Sequence, residues 1–176
     1  MQARDRLITS AIQLIRRNGV AGTGLSLLLD RSGTARRSLY LNFPGGKAEL
    51  IADATVAAGA VIGDAIDNLA STLGPVQSVR TFIAGWRDTL DRSDFLAGCP
   101  IMAAALGRSE ASAAADNAGA AFLDWQHRLM THLVAAGLDP AEATRLAGVT
   151  VAAVEGAIAM CQATRSAAPL QHVEDT

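Results

Sequence analysis

The stretch from Leu25 to Leu41 constrains the fold of this 176-residue chain more than any other. Leu25, Leu28 and Leu29 recur at helical spacing over one short segment, about Leu25 to Arg31. Ser32-Gly33-Thr34 interrupts it, and a second short helix is expected from about Ala35 to Leu41. Glycine takes positive φ without a Cβ penalty, so Gly33 permits a tight turn and a sharp crossing of the two helices. Phe43-Pro44-Gly45-Gly46 ends the second helix, because proline disfavours the α region in the residue before it. Upstream, Ile8, Ala11, Ile12 and Ile15 form the apolar stripe of a helix from about Arg4 to Asn18, closed by Gly19. Three short helices with a glycine turn between the second and third carry a helix-turn-helix signature.

The rest of the chain reads as longer helices. They are expected at about Lys47 to Ser71, Val76 to Leu90, Pro100 to Leu106, Ser112 to Ala136 and Pro140 to Arg165. Gly74-Pro75 and Gly137 break them, and Asp139-Pro140-Ala141-Glu142 supplies an N-cap acid, proline at the first helical position and an acid at the third. Ala168-Pro169 is read as the end of the last helix, with a frayed polar tail to Thr176. No strand pattern, repeat or low-complexity linker is present. The expected fold is therefore all-α, with a helix-turn-helix domain at 1–46 and a helical ligand-binding and dimerisation domain at 47–176.

Composition excludes several classes. There is no uninterrupted apolar stretch of spanning length, and Met1 to Arg6 is charged and lacks the apolar core of a secretion signal. Cys99 and Cys161 lie far apart with no CxxC spacing, which argues against a disulfide framework or zinc site and fits a reducing cytosol. The expected location is cytoplasmic. The net charge of −2 hides an asymmetry. Residues 1–50 hold eight basic and three acidic side chains, net +5, while 51–176 hold seven basic and fourteen acidic, net −7. A basic head on an acidic body points to a polyanion meeting the head alone; equally, arginines solvate helix faces.

The exposed face of the third helix offers Arg36, Arg37, Ser38, Tyr40 and Asn42 to phosphates and base edges. An arginine can contact guanine O6 and N7 together. Tyr40 and Lys47 suit phosphates, Lys47 at a helix start whose N–H groups also favour an anion. Leu28 and Leu39 must face inward to lock the pair. A corner of this kind can also be purely structural; the charge asymmetry and the Arg36-Arg37 pair weigh against that.

At these residues the sequence resembles the DNA-binding domain of the TetR family of bacterial regulators. The matching runs are Ile8 to Ile12 through Gly19, Thr23 to Leu29, and Ser32 to Leu50. The resemblance implies DNA contacts at Thr23, Arg36, Arg37, Ser38, Tyr40, Asn42 and Lys47. Three positions depart from the family pattern. Gly24 stands where a Ser or Thr N-cap is usual, Leu41 where a backbone-contacting His is common, and Ala35 where Ser or Thr often caps the third helix.

The C-terminal part resembles the LmrA/YxaF-like branch through Phe95 to Met102, Phe122 to Trp125, Gly137-Leu138 and Val154 to Ala157. That resemblance implies a homodimer acting as a repressor of efflux or catabolic genes and released by a small molecule. The residues themselves allow a pocket for a small apolar effector lined by Trp86, Phe95, Met102, Phe122, Trp125, Met130 and Met160, although any one of them taken singly reads better as core. Glu155, within an apolar helix, is either a polar anchor there or an acid reaching solvent. Ala143, Ala147, Val151, Val154 and Ile158 form a flat stripe suited to a dimer interface, and one recognition helix reads too few base pairs to act alone. Cys99 beside Pro100 reads as a buried thiol or a redox switch. His127 and His132 lie five apart, a poor metal spacing, and no metal or cofactor is expected.

No nucleophile elbow, P-loop, zinc motif or dinucleotide fingerprint is present, so an enzyme is not expected. The competing reading is a helical scaffold protein with a vestigial helix-turn-helix.

Overall fold

The computed structural model describes residues 2–175. Among them are nine helices and no strand: α1 (Ala3–Asn18), α2 (Leu25–Ser32), α3 (Arg36–Asn42), α4 (Lys47–Leu73), α5 (Pro75–Arg92), α6 (Pro100–Leu106), α7 (Ser112–Ala135), α8 (Pro140–Thr164) and α9 (Ala168–Glu174). The first eight agree with the sequence reading to within two residues at each end. The helices form two compact units. One holds the chain up to Ala60 with Pro100–Ala121, the other Val61–Cys99 and the chain from Phe122 on, so α4 and α7 each give residues to both.

In the first unit Leu7 and Ile15 of α1, Leu28 of α2, Leu39 of α3, Phe43, and Leu50 and Ile51 of α4 are fully buried. Each such side chain contributes about 1.5–3 kcal/mol on burial. Leu28 and Leu39 thus lock α2 to α3 as their spacing requires. Gly33 adopts φ 60°, ψ 36°, the left-handed turn the sequence demanded. Arg6 Nε donates to the Ser32 carbonyl at 3.1 Å, satisfying an end of α2, and the Ser32 and Thr34 hydroxyls bond at 2.6 Å. Neither Gly24 nor Ala35 supplies a side-chain cap, so α2 and α3 are held by packing rather than by their N-termini. On α4, a Cβ added to the buried Gly59 would stand 2.9 Å from the Ala121 Cβ, so α4 and α7 meet here as closely as a missing side chain allows.

In the second unit Leu129 and Leu133 of α7 pack on Ala143 and Ala147 of α8, with Met130 and Leu138 against them. Arg128 and His132 of α7 both reach Asp67 of α4, the latter at 2.9 Å, and Arg128 Nε also meets Asp124 at 2.7 Å. His132 and Arg128 together hold the Asp67 carboxyl below its usual range. The side chain of Asp139 accepts the N–H groups of Ala141 and Glu142 and starts α8 as expected.

The C-terminal segment corrects the sequence reading. Rather than fraying, Ala168–Glu174 forms α9, with Pro169 inside its first turn, where proline's missing N–H costs nothing. Leu170 is fully buried and Glu174 pairs with Arg87 at 3.2 Å.

By length and composition α8 is apolar enough to cross a membrane, although its sequence holds no uninterrupted apolar stretch of spanning length; a third of its most apolar window is buried in the structure. Its inner face, including Val154, Glu155, Ala157 and Ile158, forms core. A helix that is core on one side and small and apolar on the other has this composition in an ordinary helical protein.

Candidate nucleic-acid interface and apolar cavity

Helix α3 turns Leu39 inward and presents Arg36, Arg37, Tyr40 and Leu41 outward. Neither Arg36 nor Arg37 has a carboxylate partner among the described residues. Their donors are therefore open to an anion, which is the condition for phosphate or guanine contact. Asn42 Nδ2 donates to the Ser38 carbonyl at 2.8 Å, so the two half-buried residues close the end of the helix on each other. Tyr40 is set by Gly46: at φ 70°, a Cβ there would lie 3.2 Å from the Tyr40 ring. Lys47 sits at the first position of α4 with Nζ 3.4 Å from the Val20 carbonyl, and Glu49 accepts the Gly45 N–H at 2.6 Å.

Thr23 is placed differently from the other six residues. It is fully buried, and its Oγ1 donates to the Gly19 carbonyl at 2.7 Å. The hydroxyl closes the α1–α2 loop instead of facing outward. Leu41 is 72% exposed, so a large apolar group stands on the open face beside Tyr40. Behind this face Arg4 lies 5.3 Å from the centre of the Phe43 ring and pairs with Asp53 at 2.6 Å, and Arg31 bonds Gln13.

The second unit contains an apolar cavity of about 60 Å³. Ile62, Ile66 and Leu69 of α4 and Val79 and Phe82 of α5 form two of its walls. Trp125 and Leu129 of α7 and Val151, Val154 and Glu155 of α8 form the others. A neighbouring groove of about 440 Å³ shares Val79, Leu129 and Thr150 with it.

Of the residues the sequence singled out for a pocket, the structure brings Trp125 and Glu155 to this cavity. Phe122 stands behind Trp125, ring centres 5.4 Å apart and edge to face, and Trp86 behind Phe82 at 6.5 Å. Met130 packs with Leu129 and Leu133. Phe95 lies in the loop after α5 with φ 58°, beside Asp94, which Arg165 grips with both carboxylate oxygens at 2.7 Å. Met102 belongs to the first unit, and Met160 is 58% exposed. The walls from α4 and α5 were missed. Ile62, Ile66 and Leu69 do carry an i, i+4, i+7 signal, but aliphatic residues at helical spacing look the same whether they line a void or fill a core.

Glu155 resolves in favour of the buried alternative. It is 6% exposed, its Oε2 has no hydrogen-bond partner, and the Cys99 thiol donates to its carboxyl. Burial pushes its pKa up to about 7, the thiol pulling modestly the other way. Cys99 and Cys161 are both buried and reduced, and burial raises the Cys161 thiol.

The stripe expected at an interface faces inward. Ala143, Ala147, Val154 and Ile158 are buried in their own unit and Val151 lines the cavity. The opposite side of α8 is open: Leu146, Val149, Ala152, Gly156, Ala159 and Met160 are exposed, as are Leu123 and Val134 of α7. No group of three or more potential metal ligands occurs among the described residues.

A basic, outward-facing helix locked through a glycine turn to a second helix, near the N-terminus of an all-helical chain, defines a helix-turn-helix DNA-binding regulator. Residues 7–54 match the bacterial regulatory proteins of the tetR family, and residues 75–176 match the transcriptional regulator LmrA/YxaF-like C-terminal domain. The chain belongs to the TetR family of bacterial transcriptional regulators, in its LmrA/YxaF-like branch. It is 32% identical over 176 residues to the HTH-type transcriptional regulator Rv0196 of Mycobacterium tuberculosis, covering 97% of this chain and 89% of that one. It is 24% identical to the HTH-type transcriptional regulator LmrA of Bacillus subtilis over 97% of this chain and 92% of that one. The fold is that of the regulatory protein TetR from Rhodobacter sphaeroides, with a TM-score of 0.86 at 19% identity, covering 97% and 94% of the two chains. These relatives are regulators of transcription, not enzymes.

Proposed function

We propose that the protein is a cytoplasmic repressor that binds a palindromic operator as a homodimer and is released by a small apolar effector. The open Arg36-Arg37 pair on α3 carries the reading, because two guanidinium groups without carboxylate partners on a recognition helix have their natural counterpart in DNA. Arg36, Arg37 and Ser38 reach base edges and backbone, and Tyr40, Asn42 and Lys47 hold phosphates. Thr23 serves by shaping the loop.

Two features of the second unit support the rest. The apolar cavity offers a small molecule a site within the helical body. The outer faces of α7 and α8 offer a second copy a surface, which supports an α7–α8 four-helix interface and a pair of heads reading two half-sites. Helix α4, which gives Ile62, Ile66 and Leu69 to the cavity and Lys47 to the head, transmits the ligand's effect as a shift in population.

Fluorescence anisotropy with a labelled duplex from upstream of the protein's own gene tests this. Sequence-specific, salt-dependent binding by a dimer is expected. A dimer with no preference for that duplex over random sequence overturns it in favour of a scaffold protein.

A further inference from the structure

The cavity is almost entirely hydrocarbon, yet one of its walls carries a carboxyl group. Ile62, Ile66, Val79, Phe82 and Trp125 surround it with no polar side chain of their own that can ionise. Among the described lining residues Glu155 alone is ionisable, and the titratable neighbour outside the lining is the Cys99 thiol, which donates to the carboxyl. The Glu155 side chain is more than nine-tenths buried, and Oε2 is left without a partner. A buried, unsatisfied acceptor costs about 1–3 kcal/mol, more when charged, and native proteins rarely keep one without use. No lysine, arginine or histidine lines the void, so nothing there offers an anionic ligand a positive charge.

We propose that the effector of this protein is an apolar amine whose protonated nitrogen is bound by the Glu155 carboxylate while its hydrocarbon part fills the cavity. This rests on the reading of the second unit as effector-binding. Phe82 and Trp125 line the same cavity and give the hydrocarbon part apolar surface to rest on. The cavity of about 60 Å³ is well under the roughly 150 Å³ that holds a benzene ring, so it takes only a short stretch of hydrocarbon, the remainder lying along the neighbouring groove of about 440 Å³.

The proton balance follows from the burial of the acid. In the empty cavity Glu155 is half protonated near pH 7. A primary amine, with a pKa of about 10 like lysine, enters as the ammonium ion. Its binding displaces the proton from Glu155 to the buffer, so affinity rises with pH up to a little above 7 and then levels.

The test is calorimetric titration of the full-length protein with n-hexylamine, 1-hexanol and hexanoate, from pH 6 to pH 8.5. Hexylamine is expected to bind at least tenfold more tightly than 1-hexanol at pH 8, with affinity that falls toward pH 6 and with proton release seen as a buffer-dependent heat. Glu155→Gln is expected to abolish the preference for the amine over the alcohol and the buffer-dependent heat. Equal binding of amine and alcohol at pH 8, or amine binding that ignores pH in the unsubstituted protein, overturns the proposal without recourse to the variant. The broader reading stands or falls separately: it fails if neither these probes nor a panel of neutral and anionic apolar compounds changes operator affinity by anisotropy.

Discussion

The Thr23 hydroxyl donates to the carbonyl of Gly19, four residues earlier, from a fully buried position. The family resemblance placed this residue at the DNA; the structure gives it to the loop that sets where α2 begins. Thr23→Val keeps the volume but strands the Gly19 carbonyl. The expected loss is about 1 kcal/mol of unfolding free energy, recovered by Thr23→Ser, with operator affinity unchanged at 25 °C. Urea denaturation and anisotropy on the same samples check it.

Arg37→Ala removes a donor that makes no ion pair in the protein. It is expected to weaken operator binding by about 1–3 kcal/mol without moving the thermal melt. Lys47→Ala is expected to weaken binding to all sequences alike and to lower the salt slope by about one.

How far the sequence could be read depended on what each signal encodes. Helices α1 to α8 follow from periodicity, the Gly33 turn and the Asp139-Pro140 start, all local in their physics. Helix α9 did not follow, because Pro169 stops one helix or starts another according to whether Leu170 has a place to bury, which the packing of α9 back on α8 and on α5 supplies. The face of α8 was misjudged for a related reason. A helix apolar nearly all round has no moment to say which side is core, so Ala143, Ala147 and Ile158 read as well outward as inward. The exposed face of α3 was legible because Leu39 has to pack on Leu28 across the turn, which fixes the rotation of a short helix even though Leu41 is then left outside.

Glu155 makes stability depend on pH. Its folded pKa of about 7 lies above the ordinary 4.5, so between these values the folded state holds more protons than the unfolded. Stability is therefore fully present below about pH 4.5 as far as this group is concerned, and is lost as pH rises toward and through 7. The full span amounts to on the order of 3 kcal/mol. Urea titrations at pH 5.5 and pH 8 should show the loss in the unsubstituted protein and its absence in Glu155→Gln.

The open side of α8 makes its own prediction. Val149 is 59% exposed in the single chain, so Val149→Asp should leave the protomer folded. It places a charge in the face proposed to meet a second copy. Light scattering is expected to show a monomer, with operator affinity down at least a hundredfold and unchanged helical circular dichroism.

Gly59 limits what this lineage can become. Because any side chain there meets the Ala121 Cβ at 2.9 Å, substitution at position 59 pushes α4 away from α7 whatever else changes. Ile62, Ile66 and Leu69, further along the same helix, border a void and carry no such penalty. The lining of the cavity can therefore change from one descendant to the next, while the separation of α4 and α7 at Gly59 stays fixed. Chemical novelty and mechanical invariance are written a single turn apart on one helix.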